Sequence, residues 1–204
     1  MNCNAQTLLQ IAGAPSHPSP LDSSALIVID PQREYVDGLL RLEGIDEAII
    51  EVRRLLELAR ERNVPIFHVV HHGRQGSAVF DPDGPAVAII GELAPRDDET
   101  IITKALPNAF AATSLHELLR RAGRTELIVT GFATHMCVSA TTRAALDLGY
   151  RVTLVANGTA TRALPNPLSG ETIPARIIHE ATLAALADRF AIVVADSAAL
   201  ATGP

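Results

Sequence analysis

The chain has no tryptophan, and aromatic residues make up only 3% of its 204 positions. Few rings are therefore present to stack bases. Lys and Arg total 17 against 23 Asp and Glu, a net charge of -6, and the basic residues form no dense stripe. Together these exclude a nucleic-acid or anionic-membrane surface and leave small molecules or protein partners as the expectation. Cysteine is equally scarce: Cys3 and Cys137 cannot build a disulfide framework, which points to a reducing compartment, the cytoplasm. No run approaches the ~20 apolar residues of a spanning helix. The start of the chain lacks the basic region and long apolar segment of an export signal, so neither is expected.

What is present is apolar residues, 48% of the chain, enough for one core of useful size. They fall into short β-branched runs: "ALIVID" (Ala25–Asp30), "PIFHVV" (Pro65–Val70), "TIIT" (Thr100–Thr103), "ELIVTG" (Glu126–Gly131), "RVTLVA" (Arg151–Ala156) and "AIVVA" (Ala191–Ala195). Runs of this kind read as strands buried on both faces. Between them lie helical patterns. Ile45, Ala48, Ile49, Val52, Leu55, Leu56 and Ala59 make one apolar face, stopped by Asn63 and Pro65. Further helices are expected over Ser114–Ala122, with a Ser114/Glu117 capping box, over Met136–Leu148, and over Pro174–Asp188 with Pro174 in the first turn. The alternation predicts an α/β fold with a doubly wound, six-stranded, mostly parallel sheet, flanked by helices on both faces as in a Rossmann-like three-layer sandwich. Residues 1–22, with Pro15, Pro18 and Pro20, read as an N-terminal arm or tail, and 23–204 as a single domain. The segment Gly73–Glu99 is too long for an idle connector; it reads as a lid or interface with a short helix around "AVAIIGEL".

In an open α/β sheet, ligands sit in the crevice beyond the carboxyl ends of the strands. Three reactive residues fall there. Asp30 ends the first run, Lys104 follows "TIIT", and Cys137 lies just past "ELIVTG" where a helix is predicted to begin. Singly, each has an ordinary reading: a cysteine filling core space, a solvated lysine, an aspartate turning the chain before Pro31. Their convergence favours chemistry. Helix N–H groups and a nearby ammonium stabilise a thiolate, which predicts a Cys137 pKa of about 3.5–7.5.

At "VIDPQREY", "TKALPNAF" and "GFATHMCVSATTRAALDLGY" the sequence resembles the isochorismatase-like cysteine hydrolases, which include nicotinamidases, carbamoyl-amine amidases and related amide hydrolases. The likeness runs from about Ala25 to Ala195. It implies Asp30, Lys104 and Cys137 as the catalytic residues and a cis peptide between Phe132 and Ala133. It further implies that Asp30 takes the thiol proton and delivers it to the departing amine, while Cys137 forms a thioester that water hydrolyses. The oxyanion would meet the backbone N–H groups of Ala133 and Cys137. A small-molecule substrate, no cofactor and a homo-oligomer of two or more subunits are the corresponding expectations.

Nicotinamidases of that family bind a metal through Asp-x-His after the second strand; here the stretch reads "FHVVHHGRQG", without that motif. His71 and His72 are adjacent, so in a strand they point to opposite faces, and no metal site is expected. His68 is read as a packed strand residue, with His71 or His72 facing the crevice. Gln32, Tyr35, Phe80, Phe132 and His135 are the candidate substrate-binding residues, Phe80 closing over the site from the long loop. Asn157 stands where the family commonly has Asp, and Arg162 meets either an anionic substrate or water. Two other functions compete. Isochorismate-type vinyl-ether hydrolysis needs no thiol, and Cys137 weighs against it. A non-catalytic small-molecule-binding protein on the same fold is the second; "DPQREY" in place of a Gly-rich loop tells against dinucleotides.

Overall fold

The computed structural model describes residues 5–201; Cys3 lies outside them. Strand β1 (Ser24–Ile29) is buried along its length, and its side chains alternate between two apolar layers. Leu26 and Val28 face one layer, Ala25, Ile27 and Ile29 the other. A strand apolar on both sides needs cover on both, and the order of elements supplies it. The strands that follow are β2 (Ile66–His71), β3 (Thr100–Lys104), β4 (Glu126–Phe132), β5 (Arg151–Ala160), β6 (Leu164–Pro165), β7 (Thr172–Ile173) and β8 (Ile192–Val194). Six of them form one parallel sheet in the order β3-β2-β1-β4-β5-β8, and β6 with β7 makes a separate antiparallel hairpin.

The helices are α1 (Leu8–Ile11), α2 (Ile45–Glu61), α3 (Leu115–Arg121), α4 (Ser139–Asp147), α5 (Ala175–Arg189) and α6 (Ala198–Ala201). Helix α2 buries Ile45, Ala48, Val52, Leu55, Leu56 and Ala59 against one face of the sheet, joined there by Leu200 of α6. Each large side chain so buried contributes about 1.5–3 kcal/mol. Asn63, at φ +53°, turns the chain out of α2. Leu115 and Leu119 of α3, Ala145 of α4 and Leu186 of α5 cover the opposite face. The architecture is therefore the three-layer doubly wound sandwich that the alternation implied.

From β1 the chain winds outward through β2 and β3, then returns to lay β4 on the other side of β1. That reversal opens a crevice at the carboxyl ends of β1 and β4. Gly131 makes the close approach there possible. It pairs with Ile29 at φ +109°, and a Cβ on it would lie 2.1 Å from the Ile29 carbonyl oxygen.

Several local expectations are corrected. Ser114 makes no capping hydrogen bond, because its backbone (φ -86°, ψ 1°) is not extended; the Thr113 hydroxyl receives the Leu115 N–H instead, at 3.3 Å. A capping box does exist, at Thr7 and Gln10 of α1. The stretch "AVAIIGEL" is not a helix. Short 3-10 turns at Pro85–Val87 and Gly91–Leu93 flank an antiparallel bridge from Ile89 to Gln32. Residues Thr134–Val138 form a π turn ahead of α4, so Cys137 sits in a widened turn rather than at an α-helical N-terminus. The described part of the arm is docked: Leu8 N–H donates to Asp188 Oδ1 at 2.8 Å, and Ser19 N–H to Thr153 Oγ1 at 2.7 Å. Among the described residues no helix is long and apolar enough to cross a membrane.

Candidate active site

Asp30 follows β1 at φ +46°, a left-handed conformation uncommon for a residue with a side chain, and Pro31 prevents the strand from continuing. Lys104 ends β3, two strands away. In the β2–β3 pairing His71 stands directly opposite Lys104, so both side chains rise from the same face of the sheet. The lysine chain passes His71 to reach Asp30. Its Nζ donates to Asp30 Oδ2 at 2.9 Å, to Cys137 Sγ at 3.3 Å and to His71 Nδ1 at 3.1 Å. Asp30 is 0% exposed, Lys104 2% and Cys137 5%. Three residues 33 or more positions apart in sequence thus share one buried hollow at the switch point.

Burial decides the ionisation states. It raises the Asp30 carboxyl above the ordinary range, with Lys104 opposing the rise. It also pushes the Cys137 thiol up to about 12, reinforced by the negative charge of Asp30 and opposed by Lys104. The expected resting thiolate is therefore corrected. Two anions beside one cation would leave a net charge in a sealed site, whereas a carboxylate, an ammonium and a neutral thiol balance. Moving the thiol proton to Asp30 preserves that balance, so the same site can form a thiolate without gaining net charge.

The Phe132–Ala133 peptide bond is cis. The Ala133 carbonyl accepts the N–H groups of Met136 (3.0 Å) and Val138 (3.3 Å), passing over Cys137 between them. Thr134 anchors the turn by donating to Ala160 O at 3.0 Å, and it meets His179 Nδ1 at the same distance. Tyr35 is buried, with its ring edge-on to both Phe80 and Phe132. Its phenol is raised by burial and by the charge of Asp30. Phe80 also packs edge-on against His71, at 4.9 Å between centroids. Tyr35, Phe80 and Phe132 therefore join the cluster's surroundings as one aromatic wall.

His135 bonds to the Thr161 hydroxyl and is held neutral by burial and by Arg162. The Arg162 side chain itself reaches the Ala163 carbonyl at 3.5 Å. Asn157 is elsewhere, lining a groove of about 440 Å³ with Glu47, Arg54 and His179. His68 packs in β2 as expected and bonds Glu99 at 2.8 Å, while Arg60 grips the same carboxylate at 2.6 and 3.0 Å. Among the described residues no three His, Cys, Asp or Glu side chains are grouped so as to hold a metal ion.

The expected substrate contact at Gln32 is corrected. Its buried amide donates to the carbonyls of His71 (2.9 Å) and Val87 (2.8 Å) and accepts the His71 N–H at 2.7 Å. Gln32 therefore ties β2 to the long loop and has little capacity left for a ligand. Sequence reasoning missed Glu34, whose buried carboxylate accepts the N–H groups of Leu39 (2.8 Å), Leu40 (3.3 Å) and Phe80 (3.4 Å) and so positions the aromatic wall. The one local signal is Gly38: a Cβ there would lie 2.7 Å from Glu34.

A doubly wound α/β sheet with acid, ammonium and thiol gathered at its switch point defines a class of α/β protein with a reactive crevice. Comparison with known proteins gives the particular family. The Isochorismatase domain model matches residues 24–197, and the chain belongs to the isochorismatase family, which is hydrolytic. An isochorismatase structure from Pseudomonas putida superposes with a TM-score of 0.89 at 44% identity, covering 97% of this chain and 100% of that one. The secreted isochorismatase effector Isc1 of Verticillium dahliae is 32% identical over 182 residues, 89% of this chain and 93% of its own. A streptothricin hydrolase of Streptomyces noursei is 36% identical over 170 residues, 83% of this chain and 61% of its own.

Proposed function

We propose that the protein is a cysteine-dependent hydrolase of the acyl C–N bond in a small amide, imide or ureido compound. The observation that carries this reading is the position of Lys104 Nζ, within hydrogen-bond reach of both Asp30 Oδ2 (2.9 Å) and Cys137 Sγ (3.3 Å) inside a sealed site. Hydrolytic relatives support it, and so does the burial of Asp30, which raises its carboxyl above the ordinary range and so favours its taking up a proton.

As substrate binds, the Cys137 proton passes to Asp30, and the sulfur attacks the carbonyl carbon. The electron pair of the C=O bond moves onto oxygen, where the N–H groups of Ala133 and Cys137 receive it. Losing one such donor raises the barrier by about 3–4 kcal/mol. When the tetrahedral adduct collapses, the C–N bond breaks and Asp30 returns its proton to the leaving nitrogen. Asp30 then takes a proton from water, hydroxide attacks the thioester, and the acid product leaves as the sulfur is reprotonated. Lys104 holds Asp30 and Cys137 in register. Nucleophile, base and oxyanion donors all come from the chain, so this route calls for no metal or cofactor. The same proposal includes a reducing cytoplasm, which keeps Cys137 a thiol, and a homo-oligomeric state, checked by sedimentation.

The test is a panel of small amides, imides and ureido compounds, with isochorismate included, followed by ammonia, amine or pyruvate release. Turnover of a C–N substrate that falls at least 1,000-fold in Cys137→Ala and Asp30→Asn, roughly the cost of removing an essential catalytic group, with circular dichroism unchanged, supports the proposal. Undiminished turnover in Cys137→Ala, or isochorismate as the sole substrate, overturns it.

A further inference from the structure

A lysine ammonium carries three N–H bonds and no lone pair. Two point at Asp30 Oδ2 and Cys137 Sγ; the third meets His71 Nδ1 at 3.1 Å. Only a lone pair can receive it, so Nδ1 is unprotonated and a neutral His71 carries its proton on Nε2. Burial, with Lys104 and His72 adding to it, holds the imidazole at a pKa of about 4, hence neutral at pH 7. The ring is also fixed in place. Gln32 grips the His71 N–H and carbonyl together, and Phe80 packs against the ring at 66°.

The outward nitrogen is the unusual one. Among the described residues Nε2 has no hydrogen-bond partner, and it is not among the side-chain atoms sealed from solvent without one. His71 is half-buried, while Asp30 and Lys104 are enclosed. Nδ1 of this ring and the Cys137 sulfur both lie within 3.3 Å of the same nitrogen.

We propose that His71 is the substrate-selecting end of the buried cluster: Nδ1 fixes Lys104, while Nε2–H donates to a second acceptor on the substrate, favouring imides and cyclic ureides over simple monoamides. This rests on the hydrolase reading above and adds the substrate class to it. The selecting contact is read by binding, so that it stands or falls separately from turnover.

Histidine-labelled Cys137→Ala protein, observed by long-range ¹H–¹⁵N correlation at pH 7, shows His71 as the Nε2–H tautomer. Adding succinimide shifts the Nε2 resonance, and adding acetamide does not. His71→Asn, whose amide reaches about as far as Nδ1, retains the bond to Lys104 but weakens succinimide binding five- to tenfold, about the worth of one hydrogen bond. His71→Gln, which reaches the Nε2 position, recovers most of that loss. An Nδ1–H tautomer, an Nε2 resonance indifferent to succinimide, or equal losses for succinimide and acetamide overturns the inference. Failure of every compound to turn over, with these shifts present, refutes the hydrolase reading alone.

Discussion

Replacing Lys104 by Met removes the charge from the most enclosed ion pair in the described structure while keeping an unbranched chain of similar length. The side chains of Lys104 and Asp30 are both 0% exposed. Removing one partner of such a pair costs about 3–5 kcal/mol, because the other charge stays buried without compensation. That is a large share of the ~5–15 kcal/mol stability of an ordinary domain. Among the described residues Asp30 Oδ1 has no hydrogen-bond partner, so losing the bond to Oδ2 leaves the carboxylate poorly served. The loss should depend on pH in a definite direction. Burial raises the Asp30 pKa and Lys104 opposes the rise, so without Lys104 the folded-state value climbs further above the unfolded one. A carboxyl raised in this way is tolerated while protonated and opposes folding as pH rises through its folded pKa. Urea denaturation of Lys104→Met is therefore expected to show a deficit of about 3–5 kcal/mol at pH 8 that shrinks toward pH 5, with the m-value unchanged. The double variant Asp30→Asn/Lys104→Met, which buries no charge, should be more stable than Lys104→Met at pH 8. A deficit under about 1 kcal/mol, the worth of an exposed pair, or a double variant weaker than the single one, refutes the desolvated-pair account.

Two further effects concern the frame around the site. Burial would raise the Glu99 carboxyl, but hydrogen bonds from Arg60 and His68 hold it at about 2 against 4.5 for a free carboxyl. A depressed carboxyl contributes stability that is complete above the unfolded value and lost as pH falls toward the folded one. The wild type should therefore lose up to about 3 kcal/mol between pH 5 and 2 that Glu99→Gln does not lose, as measured by thermal melts across that range. Gly131→Ala should prevent soluble expression or lower stability far more than Gly149→Ala. Gly149 shares the positive φ (+87°) but has open space around it, so the difference in their denaturation midpoints isolates the clash with Ile29.

The β-branched runs made the parallel sheet legible, because a strand apolar on both faces fits few other folds. The reactive residues were legible for a related reason: Asp30 closes a run, and Lys104 and Cys137 each follow one, so a single sheet brings them to one edge. Depth was not legible. Whether a thiol ionises depends on how completely the surrounding chain excludes water, and that enclosure reversed the expected direction for Cys137. Gln32 and Glu34 were misread or missed because their partners, His71 and Phe80, lie 39 and 46 residues away and reach them only through the fold. The Ser114 capping box failed locally, since the motif requires an extended backbone that the preceding turn does not supply.

The central claim is that the Cys137 sulfur becomes acylated with help from Asp30. Its most direct test mixes the wild-type protein with p-nitrophenyl acetate, quenches in acid and maps the adduct by mass spectrometry. The account predicts a burst of one p-nitrophenolate per chain and a single acetyl group on the Cys137 peptide, slowed at least tenfold in Asp30→Asn. Acetylation spread over surface residues, or an equal burst from Cys137→Ala, would contradict it.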